Sequence, residues 1–196
     1  MRVGERLHHD RWRLVVIVVH VGLALLGELA IHKLDVVLAD SPLPSNMDVR
    51  GYSHTLGACG IGFYATPALA ATLQGKFPAC LDGAPLLLPG MEASVRSPLL
   101  RWLEAAKLRP RIVGEFDDGA LMRAFAEAGA GVLPAALLIG EELSAHRDMQ
   151  CLGEAAGVVE TYYAISVERK LRHTAVRAIS EAAPIGHVPG GGGVRT

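Results

Sequence analysis

Residues 35–44 read DVVLADSPLP. The run Asp35–Ala39 is short, β-branched and apolar on both faces, the pattern of a strand buried in a parallel sheet. It ends in Asp40-Ser41-Pro42-Leu43-Pro44, which can neither continue a strand nor begin a helix at once. Upstream, Leu14–Val19 reads as a strand that turns at Gly22 into a helix over Leu23–Ile31. Downstream, Leu56–Thr66 and Leu86–Leu88 read as strands, the second closed by Pro89-Gly90. Ser97-Pro98 predicts an N-cap with proline at the first helical position, ahead of Leu99, Leu100, Leu103 and Ala106 at helical spacing. A strand over Ile112–Phe116 runs into Asp117 and Asp118, which cap a helix carrying Leu121, Met122, Phe125 and Ala128. Val132-Leu133-Pro134 is extended, Thr161–Val167 is a last strand, and Thr174–Ala182 a last helix before a glycine-rich tail. Strands alternating with helices predict an α/β fold of mostly parallel sheets with helices on both sides. Phe116 and Phe125 are expected in its core.

Composition agrees with that class and excludes others. The chain has 196 residues, 51% hydrophobic and 20% charged, enough for one domain or two small ones with a real core. Its 19 basic and 20 acidic residues leave a formal charge of −1, so no global charge draws it to nucleic acid or acidic lipid. Cys59, Cys80 and Cys151 are odd in number and widely spaced. That excludes a disulfide framework and an all-cysteine zinc site, and predicts buried thiols in a reducing cytoplasm. The apolar run Leu14–Leu26 follows Arg11 and Arg13 as a secretory signal would, but His20 interrupts it and Glu28 spoils the small-residue cleavage site. It is also shorter than the ~20 residues a membrane span needs. An exported solute-binding protein is therefore the alternative, not the leading reading.

Signatures of enzymes do not appear: no G-x-S-x-G elbow, no Walker loop, no G-x-G-x-x-G opening a helix. Gly60-Ile61-Gly62 sits inside a strand and leads to Phe63-Tyr64. The eight histidines show no H-x-x-x-H or H-E-x-x-H spacing and read as surface or capping residues, not metal ligands. Cys59, midway along an apolar strand, reads as inert.

Ligands in open α/β sheets bind beyond the carboxyl ends of the strands. Three exits carry polar or turn residues: Asp40-Ser41, Pro89-Gly90 leading to Ser94, and Glu115 to Asp118. Each alone is a turn or a cap; their recurrence points to a shared cleft. Helix N-termini at Ser97 and Asp118 would favour an anion there.

Five strings, Glu28–Pro42 (ELAIHKLDVVLADSP), Gly57–Phe63 (GACGIGF), Phe77–Pro89 (FPACLDGAPLLLP), Ile112–Phe125 (IVGEFDDGALMRAF) and Tyr162–Lys170 (YYAISVERK), closely resemble the effector-binding region of LysR-type transcriptional regulators. Within that family they are similar to the branch that activates sodium/proton antiporter genes. The resemblance runs from about Arg13 to Ala183 and departs from the family at Val15–Leu26, where its members are more polar.

What this resemblance implies is a periplasmic-binding-protein-like, two-lobed fold of the second type, incomplete at the N-terminus. Lobe I would take residues 1–56 and 160–185, lobe II residues 57–159, and 186–196 a flexible tail. Crossings would run at Leu56–Thr66 and Val158–Val167. The cleft between lobes would be lined by Asp40, Ser41, Pro89, Gly90, Ser94 and Asp117. It would take a small effector or ion, with no catalysis and no cofactor. The branch implies Na+, a hard cation, for which Asp40, Ser41, Glu115, Asp117 and Asp118 could supply oxygens, with one of the last two as a helix cap. Family members begin with a winged helix-turn-helix and linker helix that this chain lacks, so it reads as a fragment. DNA contact would come only through that missing region, and self-association through lobe surfaces. Arg169, Lys170, Arg172 and Arg177, interleaved with Glu168 and Glu181, read as a solvated or subunit-pairing face.

Overall fold

The computed structural model describes residues 16–17, 27–29, 31, 33–34, 36–43 and 51–167; the expected helix Thr174–Ala182, the basic group at 169–177 and the tail lie outside the described residues. Among them, β1 (Val16–Ile17), β2 (Val37–Ala39), β3 (Tyr52–Ala65), β6 (Leu133–Ala136) and β7 (Gln150–Ser166) form one sheet in the order β1-β2-β7-β3-β6. The second sheet pairs β4 (Pro85–Pro89) with β5 (Arg111–Phe116) in parallel. Helices α1 (Pro67–Ala70), α2 (Arg96–Ala105), α3 (Gly119–Glu127) and α4 (Gly140–His146) connect or cover the strands. The sheets touch where Val132, just before β6, bonds Pro85 and Leu87 of β4.

Two long strands organise the molecule. Neighbouring β3 and β7 are antiparallel from Tyr52↔Ser166 to Ala65↔Gln150. Strands are thus present at Leu56–Thr66 and Val158–Val167, where crossings were expected, and both are longer than the apolar runs that predicted them. His54, Thr55, Glu154, Glu160 and Thr161 hide the ends from a hydrophobic reading, because a strand packed on one face accepts polar residues on the other. The ladder also slips at Thr55/Gly57, Gly60/Gly62 and Phe63/Tyr64, and each irregularity breaks the two-residue alternation. The first sheet is consequently mixed: only β1–β2 is parallel, against the expectation of mostly parallel pairing.

In β4 the sequence PLLLP explains its own burial. Leu86 and Leu88 face a core with Ile61, Phe63, Leu99, Leu103 and Val132, while Leu87 faces the opposite one with Tyr64, Met122, Leu133 and Met149. A separate small core, Leu29, Leu34, Val37, Ala39 and Ile165, lies around β2 and the end of β7. Pro134 sits within β6, the outermost strand of its sheet, where proline removes no essential ladder bond.

Three local expectations change. Helix α2 begins at Arg96 with Val95 as N-cap and no side-chain cap bond; Ser97 and Pro98 are its second and third residues. Proline is tolerated there because the first turn's N–H groups have no intrahelical acceptor. Phe125 is 47% exposed and Phe116 only partly buried, their rings in tilted contact with centroids 5.1 Å apart. Helix α3 turns Met122 and Ala126 inward instead, which leaves Phe125, one residue round, on its flank. Among the cysteines only Cys80 is buried; Cys59 is intermediate and Cys151 exposed.

Candidate functional site

Asp40, the residue after β2, is 3% exposed. Its Oδ2 accepts a hydrogen bond from the Ser94 backbone N–H at 3.3 Å, a contact between the β2 exit and the loop leading into α2. Two of the expected strand exits therefore meet. The third joins through main chain: the Gly90 N–H donates to the Phe116 carbonyl at 2.7 Å. Glycine lets the chain pass close here: a Cβ at 90 would fall 1.8 Å from Asp117 Oδ1, the end of a rotatable side chain, and 3.1 Å from its Cα. Ser41 follows Asp40 and is partly exposed.

Several of the expected oxygens have other partners. Asp118 caps α3, its Oδ1 accepting from the Ala120 and Leu121 N–H groups at 2.8 and 3.0 Å. Glu115 pairs with Arg96 at 2.8 Å. Arg96, itself buried, also donates to the Pro89 carbonyl. That guanidinium ties the start of α2 to the ends of β4 and β5, a role no sequence signal assigned.

Glu160 and Tyr162 were also missed. Two residues apart on β7, they share a face, and the Tyr162 hydroxyl donates to Glu160 Oε2 at 2.7 Å. Burial raises the Glu160 carboxyl above its ordinary range; the tyrosine hydrogen bond opposes this and the Asp40 charge adds to it. Burial, then Glu160, likewise push the Tyr162 hydroxyl up. Both lie within the strand expected at Val158–Val167, but no local signal marked their shared face as buried. Nearby on β3, Cys59 Sγ accepts from the Leu138 N–H at 3.2 Å, so it serves as a backbone acceptor. The arrangement is one of paired acids and backbone donors at a seam, suited to holding a small ligand. A shallow groove lined by Leu100, Lys107, Arg109 and Ile112 lies at the opposite end of β4.

Among known proteins, the LysR substrate binding domain matches residues 6–183. Transcriptional activator protein NhaR of Escherichia coli K12 is 36% identical over 155 residues, 79% of this chain and 50% of that protein; its Shigella flexneri counterpart gives the same figures. The chain thus spans about half the length of these relatives. Among solved structures, the regulatory domain of HypT from Salmonella typhimurium superposes with a TM-score of 0.57 at 15% identity, covering 83% of this chain and 80% of that one. The LysR family transcriptional regulator CbnR gives 0.57 at 15%, over 81% of this chain and 54% of its own. The two-lobed α/β fold is theirs. No helix among the described residues is long and apolar enough to cross a membrane. By the extent of the family match and the identity to NhaR, the chain belongs to the LysR substrate-binding-domain family.

Proposed function

We propose that the chain is the effector-sensing part of a cytoplasmic LysR-type transcriptional activator, acting on sodium/proton antiporter genes. The observation that carries it is the Asp40–Ser94 contact, which brings strand exits from two cores to one seam. The NhaR relatives favour this reading over an exported protein of the same fold. Lobe I is residues 1–56 with 160–185 and lobe II residues 57–159, and an effector between them contacts Asp40, Ser41, Pro89, Gly90, Ser94 and Asp117. Ligand that prefers one lobe placement shifts the population toward it and so repositions whatever DNA-binding region the complete protein carries. The effector is a small molecule or an ion, Na+ among the ions, and no resident cofactor takes part. Joined to the DNA-binding half of Escherichia coli NhaR, the chain should confer effector-dependent activation on that activator's promoter. A fusion that folds and occupies the promoter, yet gives the same transcription under every ion and metabolite condition tried, would refute the reading.

Self-association uses the outer edge of the second sheet. Ile112 and Val113 on β5 and Leu121 and Phe125 on α3 are 38–52% exposed. Among the described residues β5 is bonded on one side only, and such an apolar edge is a pairing surface.

A further inference from the structure

Two parts of the chain meet at the seam without sharing a core. The apolar clusters around β2 and the end of β7 draw on residues 29–56 and 164–167, and those around β4 on residues 59–158; no residue belongs to both sets. The strands β3 and β7 run from one part to the other. Beyond them, one side-chain hydrogen bond among the described residues joins residues 36–43 to residues 67–149, the bond from the Ser94 N–H to Asp40 Oδ2. None of the ion pairs among the described residues spans the same gap.

Both ends of this bond are firmly mounted. Asp40 directly follows β2, whose three residues pair with β7. Ser94 sits on a turn fastened on either side: the Gly90 N–H donates to the Phe116 carbonyl, the Ala93 N–H to the Gly90 carbonyl and the Arg96 N–H to the Ala93 carbonyl. The Arg96 guanidinium then fixes the turn to the Pro89 carbonyl and Glu115. A bond between rigid mounts breaks when the mounts part as bodies. Little holds them together, however. At 3.3 Å the bond is long, and the second carboxyl oxygen, Oδ1, is buried without a partner, a condition whose cost matches or exceeds what one hydrogen bond returns. Parting the mounts gives Oδ1 back to water. The contact is therefore one of two placements close in free energy, which is what a switch requires. Asp40 and Ser94 are also two of the residues expected to meet the effector, so a ligand that seats on either must compete with their bond.

We propose that the Asp40–Ser94 hydrogen bond is an autoinhibitory latch, which holds the two lobes in the resting placement until the effector releases it. The latch rests on the effector-cleft reading and adds how the resting state is kept, whatever the effector's charge.

The test is nuclear magnetic resonance on the 196-residue chain with no small ligand added. D40A removes the acceptor and S94P the donor. In D40A the Ser94 amide should exchange with solvent roughly 3–10-fold faster, while the Gly90 and Leu99 amides, bonded within their own part, keep their rates. Residual dipolar couplings should show that residues 36–43 and 67–149 change relative orientation in D40A and in S94P. D40N, which keeps an acceptor, should hold the parent orientation. In the promoter fusion D40A and S94P should raise transcription without added effector by about threefold or more. Unchanged orientation in both variants overturns the latch even where Ser94 exchange quickens, because the contact is then local. Unchanged Ser94 exchange in D40A overturns it too, as does transcription that both variants lower or leave as it was. Should one variant not fold, the other carries the test, since they remove opposite ends of one bond. The effector reading fails separately, when the parent fusion answers to no ligand; the latch fails when the variants of the ligand-free chain behave as the parent does.

Discussion

Glu160 shows how one side chain couples the seam to pH. Its folded-state carboxyl is raised above the ordinary value of 4.5 because it is buried, so folding is less favourable for the ionised form than for the neutral acid. For such a group the stabilising contribution is fully present below the unfolded value and is lost as pH rises through the folded one. E160Q should therefore be more stable than the parent at neutral pH, with the gap closing as pH falls towards about 4.5 and below. Urea midpoints at several pH values measure this; a gap that widens on acidification would contradict it. Gly90 offers a second check. Because an added Cβ meets both the Asp117 carboxylate and its Cα, G90A should cost roughly 1–3 kcal/mol by overpacking. Neither effect is visible from residue type alone. The string PGMEAS around Gly90 shows a turn at a strand exit but not what packs on it, and GVVETYY gives no sign that Glu160 is buried, until the fold sets Asp117 against Gly90 and buries Glu160.

Element by element, apolar patterning predicted existence better than orientation. The strand at 85–89 follows from its three leucines, and the core it builds is aromatic at its centre. Phe63 is fully buried, with ring centroids 5.7 Å from Phe77 and 5.6 Å from Trp102. F63A should therefore lose ~3–5 kcal/mol through cavity formation. F125A, on the exposed flank of α3, should lose under about 1.5 kcal/mol. Equal losses in denaturant titrations would mean that α3 is rotated from its described position. The start of α2 rests on Arg96. Replacing it by methionine removes the Glu115 pair and leaves the Pro89 carbonyl without its donor, at a cost of about 1–3 kcal/mol, measurable in the same titration. Sequence put the cap at Ser97 because serine before proline satisfies the usual rule. The buried guanidinium, joining three elements distant in sequence, decided otherwise.

For the whole molecule, two outcomes are expected. Titrated alone against antiporter-type promoter DNA, the chain should show only weak binding that vanishes with moderate salt, the signature of nonspecific phosphate contact. Saturable, sequence-specific retention would refute this. Self-association should be weak, and L121E with F125E should abolish it in sedimentation experiments without changing the circular dichroism spectrum; unchanged association would place the contact elsewhere. The sequence by itself determined the α/β class, the family through five ordered strings, the buried strand of β4 and the Asp40 exit, because each depends on local patterning and spacing. Tertiary structure alone decided that β3 and β7 pair along their whole lengths, that Asp40 meets Ser94 from 54 residues away, and that Glu160 is buried with Tyr162 bonded to it. Those outcomes depend on antiparallel register across a long sequence separation, where a one-residue slip exchanges the faces of a strand, and no local pattern in this chain encodes that register.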